Sequence, residues 1–241
     1  SKKTLIVVSG NFNEKKALTE IEKAFTGIPN QKKIGKLAVT EIVQTAPRIK
    51  LHVKPTDQVH AVLGIRTFGI KDKRNPVLQV LQGVLGAGMS SRLFQKLRDE
   101  MGICYYVKSN AEEFTDHGFL SISTGVDVKR APQAIEAVCK ELSKLKTELV
   151  SEEELTKVKD CLIGNMYLSL ETSDALGEFY GMQEILKGKI ETAEEIEKSI
   201  RKVSAKQIRD LASKVIIDTN LNLAAVSSVT DEEVFKKVLH V

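Results

Sequence analysis

Residues 89–107, MSSRLFQKLRDEMGICYYV, predict a short amphipathic helix followed at once by a strand. Four apolar residues recur at helical spacing, namely Leu93, Phe94, Leu97 and Met101. The segment that starts at Cys104 is rich in aromatic residues, which is typical of a strand. Arg98 lies in the last helical turn and Tyr105 at the head of the strand. This pair either complements the helix dipole and packs in a sheet, or presents a guanidinium and a phenol to a bound group.

The rest of the chain predicts an α+β fold. Strand-like segments occur at 48–54, 60–68, 104–113, 118–126 and 221–227. Helical patterns open at Pro76 and Pro132, and three capping boxes mark further helix starts, at Ser151/Glu154, Thr192/Glu195 and Ser204/Gln207. We expect an antiparallel sheet with helices packed mainly on one face.

The beginning of the chain has the same pattern as its end. TLIVVSGNFNEKKAL from Thr4 aligns without gaps on LNLAAVSSVTDEEVF from Leu221, an offset of 217 residues. In both, an apolar strand leads into a capped helix, and the offset is the size of a whole domain. We therefore predict a buried strand at 4–9 and assign 1–30 to the last strand-helix unit of a preceding, missing domain. A linker over 31–47 and a complete second domain over 48–241 follow, so the chain is expected to begin within a longer protein.

Composition and charge argue against several classes of function. The 36 basic and 32 acidic residues leave a formal net charge of +4, and aromatic residues make up only 5%. Nucleic-acid binding is therefore not expected, because it needs clustered cations and stacking side chains. No apolar run reaches the length of a membrane span. The three cysteines, Cys104, Cys139 and Cys161, form no Cys-x-x-Cys pair and predict reduced core or half-buried thiols in a reducing compartment, the cytoplasm.

Two other patterns are poor candidates for a site. GVLGAGMSSR, at 83–92, joins two predicted helices and lacks the spacing of a phosphate-binding loop, so it predicts a tight corner. The histidines, His52, His60, His117 and His240, show no spacing that places two imidazoles on one helical face. We expect no zinc to be bound by this chain. A Ser-His-Asp arrangement stays open, although no Gly-x-Ser-x-Gly elbow supports it.

The stretch SSRLFQKLRDEMGICYYV resembles the signature of the second domain in pitrilysin-type zinc peptidases, the family of the mitochondrial processing peptidase and insulin-degrading enzyme. The matching positions are Ser91–Phe94, Leu97–Arg98, Gly102 and Tyr105. VSEEELTKVKDCLIGNMYLSLET, at 150–172, is similar to the family's next helix, and LNLAAVSSVTDEE to its closing strand and cap. The resemblance covers nearly the entire chain.

The resemblance implies two homologous domains that close like a clam shell on an extended peptide. The first domain carries His-x-x-Glu-His, which binds zinc and supplies the general base. The second lacks the metal site, and its Arg and Tyr, here Arg98 and Tyr105, stabilise the tetrahedral intermediate. This sequence contains no His-x-x-Glu-His, and the helix in the equivalent place, 76–86, has neither His nor Glu. Zinc is therefore expected in a missing N-terminal domain.

The sequence thus predicts the C-terminal, substrate-closing half of a zinc metalloendopeptidase, inactive as an isolated chain. Its expected site residues are Arg98 and Tyr105, and it is expected to bind no metal or cofactor itself. Its expected partners are an N-terminal zinc-binding domain or a homologous catalytic subunit, and an extended peptide. Three alternatives stay open: an inactive partner in a two-chain peptidase, a structural subunit like the respiratory-complex core proteins, and a small-molecule-binding domain.

Overall fold

A five-stranded sheet forms the centre of the fold in the computed structural model, which describes residues 4–28, 39 and 43–241. The strands are β1 (Arg48–Val53), β2 (Gln58–Thr67), β3 (Cys104–Glu113), β4 (Gly118–Asp127) and β5 (Leu221–Ser227). Their order across the sheet is β1-β5-β2-β4-β3. The last strand of the chain therefore inserts between the first two.

The strand directions follow from this insertion. β2 runs antiparallel to β4 and to β5, and β3 runs antiparallel to β4. β1 is parallel to β5, because it lies on the far side of β5 and opposes β2 in direction. The α+β class predicted from the sequence is confirmed, and the single parallel pair is a feature that the strand patterns did not indicate.

Nine α-helices lie within the described residues. They are α1 (Glu14–Phe25), α2 (Asn75–Gly86), α3 (Arg92–Phe94), α4 (Ala131–Thr147), α5 (Glu152–Ser169), α6 (Ser173–Leu186), α7 (Ala193–Arg201), α8 (Ala205–Val215) and α9 (Glu233–Lys236). α2 packs on β3, α4 on β4 and α8 on β2, and these three helices place the core on one side of the sheet. In the described part of the chain, no helix combines the length and the apolar character needed to cross a lipid bilayer.

The alternation along β2 distinguishes the covered face of the sheet from the other. Val59, Ala61, Leu63 and Ile65 are at most 1% exposed, whereas His60 and Val62 between them are exposed. We call the second face the open face. Its side chains form three rows across the sheet: His52, Val226, His60, Gly125 and Tyr106; Lys50, Ala224, Val62, Ser123 and Lys108; Arg48, Asn222, Gly64, Ser121 and Asn110.

The glycine-rich stretch at 83–88 forms the tight corner that its sequence predicts. Gly83 lets α2 approach α5 closely, since a Cβ atom there would lie 2.6 Å from Cγ1 of Val158. Gly88 has a φ angle of 89°, in the left-handed region that favours glycine. Packing and turn geometry therefore account for these two glycines.

The segment at 4–9 departs from its prediction. It is extended but pairs with no strand in the described residues, and Leu5, Ile6, Val7 and Val8 are 39–45% exposed. The predicted buried strand is therefore wrong for this chain, because the five strands of the sheet pair with one another and none pairs with this segment. Its alternate side chains pack along α6 instead, with Val7 beside Gly181. α1 forms as predicted but buries no residue.

Most of the predicted linker at 31–47 lies outside the described residues, which here comprise 39 and 43–47. The backbone N–H of Val39 donates to Oδ2 of Asp116 at 3.3 Å. Nε2 of Gln44 donates to the carbonyl of Leu221 at 2.7 Å, which ties the approach to β1 to the start of β5.

Candidate functional site

The helix-to-strand corner at 92–107 is built from a π-helical segment and a glycine turn. α3 continues directly into π-helical Gln95–Glu100, and the N–H of Met101 donates to the carbonyl of Lys96 at 3.1 Å. π-Helical turns are rare and frequently lie at functional sites. Gly102 then adopts a φ angle of 57°, which turns the chain into β3. Leu97 is fully buried and fixes the segment to the core.

Arg98 ties the helix end to the start of β3. Its Nη1 donates to the carbonyl of Cys104 at 2.8 Å and to the carbonyl of Tyr105 at 2.9 Å. The side chain stays exposed, and its Nε and Nη2 groups have no hydrogen-bond partner among the described residues. Arg98 therefore holds the backbone of Tyr105 and retains N–H donors for a bound group.

Tyr105 is the extra residue of a β-bulge. The register with β4 pairs Cys104 with Val126 and Tyr106 with Gly125, so Tyr105 has no partner. A bulge locally breaks the alternation of side chains and re-aims them. Tyr105 and Tyr106 are consequently both exposed, at 56% and 39%, between the buried Cys104 and Val107. Arg98 and Tyr105, the pair predicted from the sequence, are thus joined by a hydrogen bond to the backbone carbonyl of Tyr105, and the Tyr105 phenol is exposed to solvent.

Tyr106 contacts a histidine two strands away. Its phenol oxygen lies 3.1 Å from Nδ1 of His60, and the two rings are stacked with their centroids 6.1 Å apart. The carbonyl of Tyr106 accepts a hydrogen bond from Oγ1 of Thr124 at 2.9 Å. The sequence analysis considered the histidines as possible metal ligands, rejected that role, and missed this contact of His60. The one signal in the sequence was the Tyr-Tyr doublet, which breaks the alternation expected of a strand.

An ion pair anchors the start of the corner to α5. Nε and Nη2 of Arg92 donate to the two carboxylate oxygens of Glu154 at 2.7 and 2.8 Å. The hydrogen bond to Glu154 raises the pKa of Arg92. Ser151 accepts from the N–H of Glu154, but the Glu154 carboxylate is bonded to Arg92, so this capping box is incomplete. The boxes predicted at Thr192 and Ser204 are both complete.

The cysteines do not supply a nucleophile at this corner. Cys104 and Cys139 are buried, and burial raises the pKa of both thiols, that of Cys139 to about 12. These thiols therefore stay protonated and unreactive near neutral pH. Cys161 is exposed on α5, which corrects the prediction of a core or half-buried position. α5 buries only Leu155 and Ile163, so most of its surface, including Cys161, faces outward.

The histidines of the described residues are not gathered with other ligands into a metal site. His52 and His60 lie on separate strands, Nδ1 of His117 is 2.8 Å from Oδ1 of Asp116, and His240 is near the end of the chain. Within residues 4–28, 39 and 43–241, no group of three or more His, Cys, Asp or Glu side chains is arranged to hold a metal ion. The zinc that the family resemblance implies does not fit these residues, so no step through zinc is assigned to them.

The chain belongs to a known family. The sequence model of the family described as "Peptidase M16 inactive domain" matches residues 1–162. The uncharacterized zinc protease YmxG of Bacillus subtilis is 30% identical over 216 residues, which are 90% of this chain and 52% of that protein. The chain spans about half the length of the curated relatives it matches. The resemblance to zinc metallopeptidases, and to their inactive domain, is thereby confirmed.

Two solved structures share the fold. A protease from Helicobacter pylori superimposes with a TM-score of 0.81 at 20% identity, over 91% of this chain and 53% of that chain. A peptidase M16 inactive domain from Pseudomonas fluorescens gives a TM-score of 0.79 at 13% identity, over 91% of this chain and 52% of that chain. At these identities the likeness concerns the fold alone.

Proposed function

We propose that this chain is the C-terminal, substrate-closing half of a zinc metalloendopeptidase, in which Arg98 and Tyr105 bind the peptide and stabilise the oxyanion of the tetrahedral intermediate. The bulge at Tyr105, held by Arg98, is the observation that carries the proposal. The bulge and the hydrogen bond from Arg98 hold the phenol of Tyr105 and the unused N–H groups of Arg98 at one corner. Donors that are fixed before the reaction stabilise a developing negative charge without reorganisation.

The packing of the first segment supports the assignment of residues 1–30 to a preceding domain. With the offset of 217 residues, Leu5, Val7 and Ser9 correspond to Asn222, Ala224 and Val226. Asn222, Ala224 and Val226 lie on the open face of the sheet. Leu5, Val7 and Ser9 lie along α6, where Ser9 and Val7 contact Gly177 and Gly181. In this proposal α6 covers the open face of the preceding domain's sheet, which would join the two halves.

The preceding domain, or a homologous catalytic subunit, would bind the zinc ion that this chain does not hold. Zinc supplies an activated water for attack on the peptide bond. The residues of this chain have the complementary roles: they bind and orient the extended peptide, and they donate hydrogen bonds to the oxygen that becomes charged. The isolated chain is therefore proposed to be inactive.

Peptide hydrolysis by a protein that joins a zinc-binding first domain to this chain tests the proposal. We expect Tyr105→Phe to lower kcat on the order of 10²–10³-fold, the usual cost of one lost oxyanion donor. Its melting temperature should be unchanged, because the phenol bonds no other group in the described residues. Arg98→Ala should also lower kcat, but it loses two backbone hydrogen bonds and should cost about 1–2 kcal/mol of stability.

Two matched controls separate chemistry from structure. Arg130→Ala removes a hydrogen bond from Nη2 of Arg130 to the Met101 carbonyl, 3.2 Å, at the same corner. Tyr167→Phe removes a phenol on α5 that donates to Oε2 of Glu197 at 2.8 Å, so it shows what the loss of a structural phenol hydrogen bond alone does. Neither control should change kcat. Turnover that stays intact in both Tyr105→Phe and Arg98→Ala would contradict the proposal. If this chain supports peptide hydrolysis only when a separately expressed zinc-binding subunit is added to it, the result would instead indicate a two-chain peptidase.

A further inference from the structure

A second polar feature of the open face lies beside the proposed catalytic contacts and is not used by them. Tyr106 starts on β3, crosses β4 and brings its phenol oxygen to 3.1 Å from Nδ1 of His60 on β2. Neighbouring strands are about 4.8 Å apart. The side chain therefore lies flat across the whole width of β4, with 23° between the planes of the two rings.

Gly125 makes this conformation possible. It pairs with His60 on one side and with Tyr106 on the other, so it lies directly beneath the contact. A Cβ atom at Gly125 would overlap the Tyr106 ring, whose Cδ1 atom is 2.9 Å from that position. Any larger residue at 125 would lift the ring away from His60. The contact thus depends on three residues from three adjacent strands.

The pair presents the same hydrogen-bonding groups in either tautomer of His60. If the phenol donates to Nδ1, the phenol oxygen keeps a free lone pair and Nε2 carries an N–H donor. If Nδ1–H donates to the phenol, the phenol keeps its O–H donor and Nε2 is the acceptor. In both cases a neutral pair leaves one donor and one acceptor on its exposed side. That combination is complementary to one residue of an extended chain, whose own N–H and C=O point to the same side of the backbone.

A structural role or a metal-binding role explains the His60–Tyr106 pair less well than peptide binding does. Both side chains are exposed, so neither completes the core, and an exposed hydrogen bond contributes little to stability. A metal site would need further ligands, and the part of the chain that the structure describes holds no group of three or more His, Cys, Asp or Glu side chains suited to a metal ion. The pair is adjacent to Tyr105 along β3, at the same end of the sheet. A chain bound at Tyr105 would therefore pass over it.

We propose that the His60–Tyr106 pair binds the backbone N–H and C=O of one residue of the extended substrate and so positions the scissile bond relative to Tyr105. The identity of the ligand rests on the proposed function, whereas the subsite itself rests on the geometry of His60, Gly125 and Tyr106. In this role the two residues are positioning residues: they fix the register of the peptide and do not contact the reacting atoms.

Binding of a noncleavable peptide, with a reduced methyleneamine bond at the scissile position, tests the subsite in the two-domain protein after zinc is removed by a chelator. Tyr106→Phe keeps the ring but loses the hydrogen bond, and we expect the Kd to rise about tenfold. Gly125→Ala should raise the Kd similarly, because it displaces the ring without altering either polar group. Gly64→Ala is the matched control: its Cβ would meet only the Asn222 carbonyl at 3.9 Å, and the Kd should not change.

Methylation of single peptide nitrogens gives a second readout that a merely structural role would not produce. At one position, N-methylation should weaken binding about tenfold in the wild-type protein and should have no further effect in Tyr106→Phe. Unchanged Kd values in Tyr106→Phe and Gly125→Ala, or N-methylation effects that are equal in both proteins, would overturn the subsite. If Tyr106→Phe weakens binding while Tyr105→Phe leaves kcat intact, the subsite stands and the oxyanion role falls.

Discussion

At the scale of single residues, two consecutive tyrosines on β3 point to different tasks. The bulge leaves Tyr105 without a strand partner and exposes its phenol, while Tyr106 turns inward across Gly125 to His60. The resemblance of 91–107 to the family signature was sufficient to select Arg98 and Tyr105. It was not sufficient to select Tyr106, because its partner His60 lies 46 positions away in the sequence and meets it only in the folded sheet.

Glu113, at the end of β3, provides a prediction about pH. Burial raises the pKa of its carboxyl group, and the charge of Lys187 and a hydrogen bond from Gln79 offset this only in part. The folded state therefore binds a proton more readily than the unfolded chain, so stability falls as pH rises above the ordinary carboxyl range. Glu113→Gln should raise the melting temperature at pH 7, and the gain should disappear in acid.

The neighbouring Glu112 serves as the control for this measurement, since it is exposed. Glu112→Gln should leave the melting temperature near that of the parent at both pH values. If Glu113→Gln lowered the melting temperature at pH 7, the contact with Lys187 would outweigh the cost of burial, and the sign of the argument would be wrong.

At the scale of elements, the small residues of α6 form the surface on which the segment at 4–9 packs. Gly177 and Gly181 lie one turn apart, and Ser9 and Val7 pack against them. A Cβ atom built on Gly181 would lie 3.7 Å from Cβ of Val7. This separation is close to the mean found in disulfides. The packing therefore fixes both which side chains of the segment at 4–9 face α6 and which residue of α6 each of them contacts.

A pair of cysteines tests that register. Val7→Cys with Gly181→Cys, in a Cys161→Ser background, should form a disulfide on mild oxidation, seen as a thiol loss that dithiothreitol reverses. Val8→Cys with Gly181→Cys should stay reduced, because successive side chains of an extended segment point in opposite directions. Equal oxidation of the two pairs would show that the segment slides or detaches, and the packing described for α6 would not hold.

At the scale of the whole molecule, the sheet explains which parts of the fold the sequence predicts. The strands at 104–113 and 118–127 and the capped helices follow local patterns, and they were predicted nearly to the residue. The insertion of β5 between β1 and β2 depends on pairing across more than 150 residues, so no local pattern reveals it. The segment at 4–9 has a strong strand pattern, yet it lacks a strand partner in the described chain and stays exposed.

The whole molecule also determines how the site is arranged. The helices cover one face of the sheet, and the open face, with Tyr106 and His60 at one end of it, remains accessible beside the corner that carries Arg98 and Tyr105. A zinc-bearing half that closed over this end would meet the phenol and guanidinium first. The arrangement therefore predicts that Arg98 and Tyr105 contribute to transition-state binding more than to ground-state binding.

The affinity of a peptide phosphinate, which mimics the tetrahedral intermediate, measures this claim most directly. In the two-domain protein, Tyr105→Phe should weaken phosphinate binding on the order of 10²–10³-fold, the same factor by which it lowers kcat/KM, because both report the lost oxyanion contact. The affinity for the unreacted substrate should change little. Phosphinate binding that is the same in Tyr105→Phe and the parent protein would contradict the account.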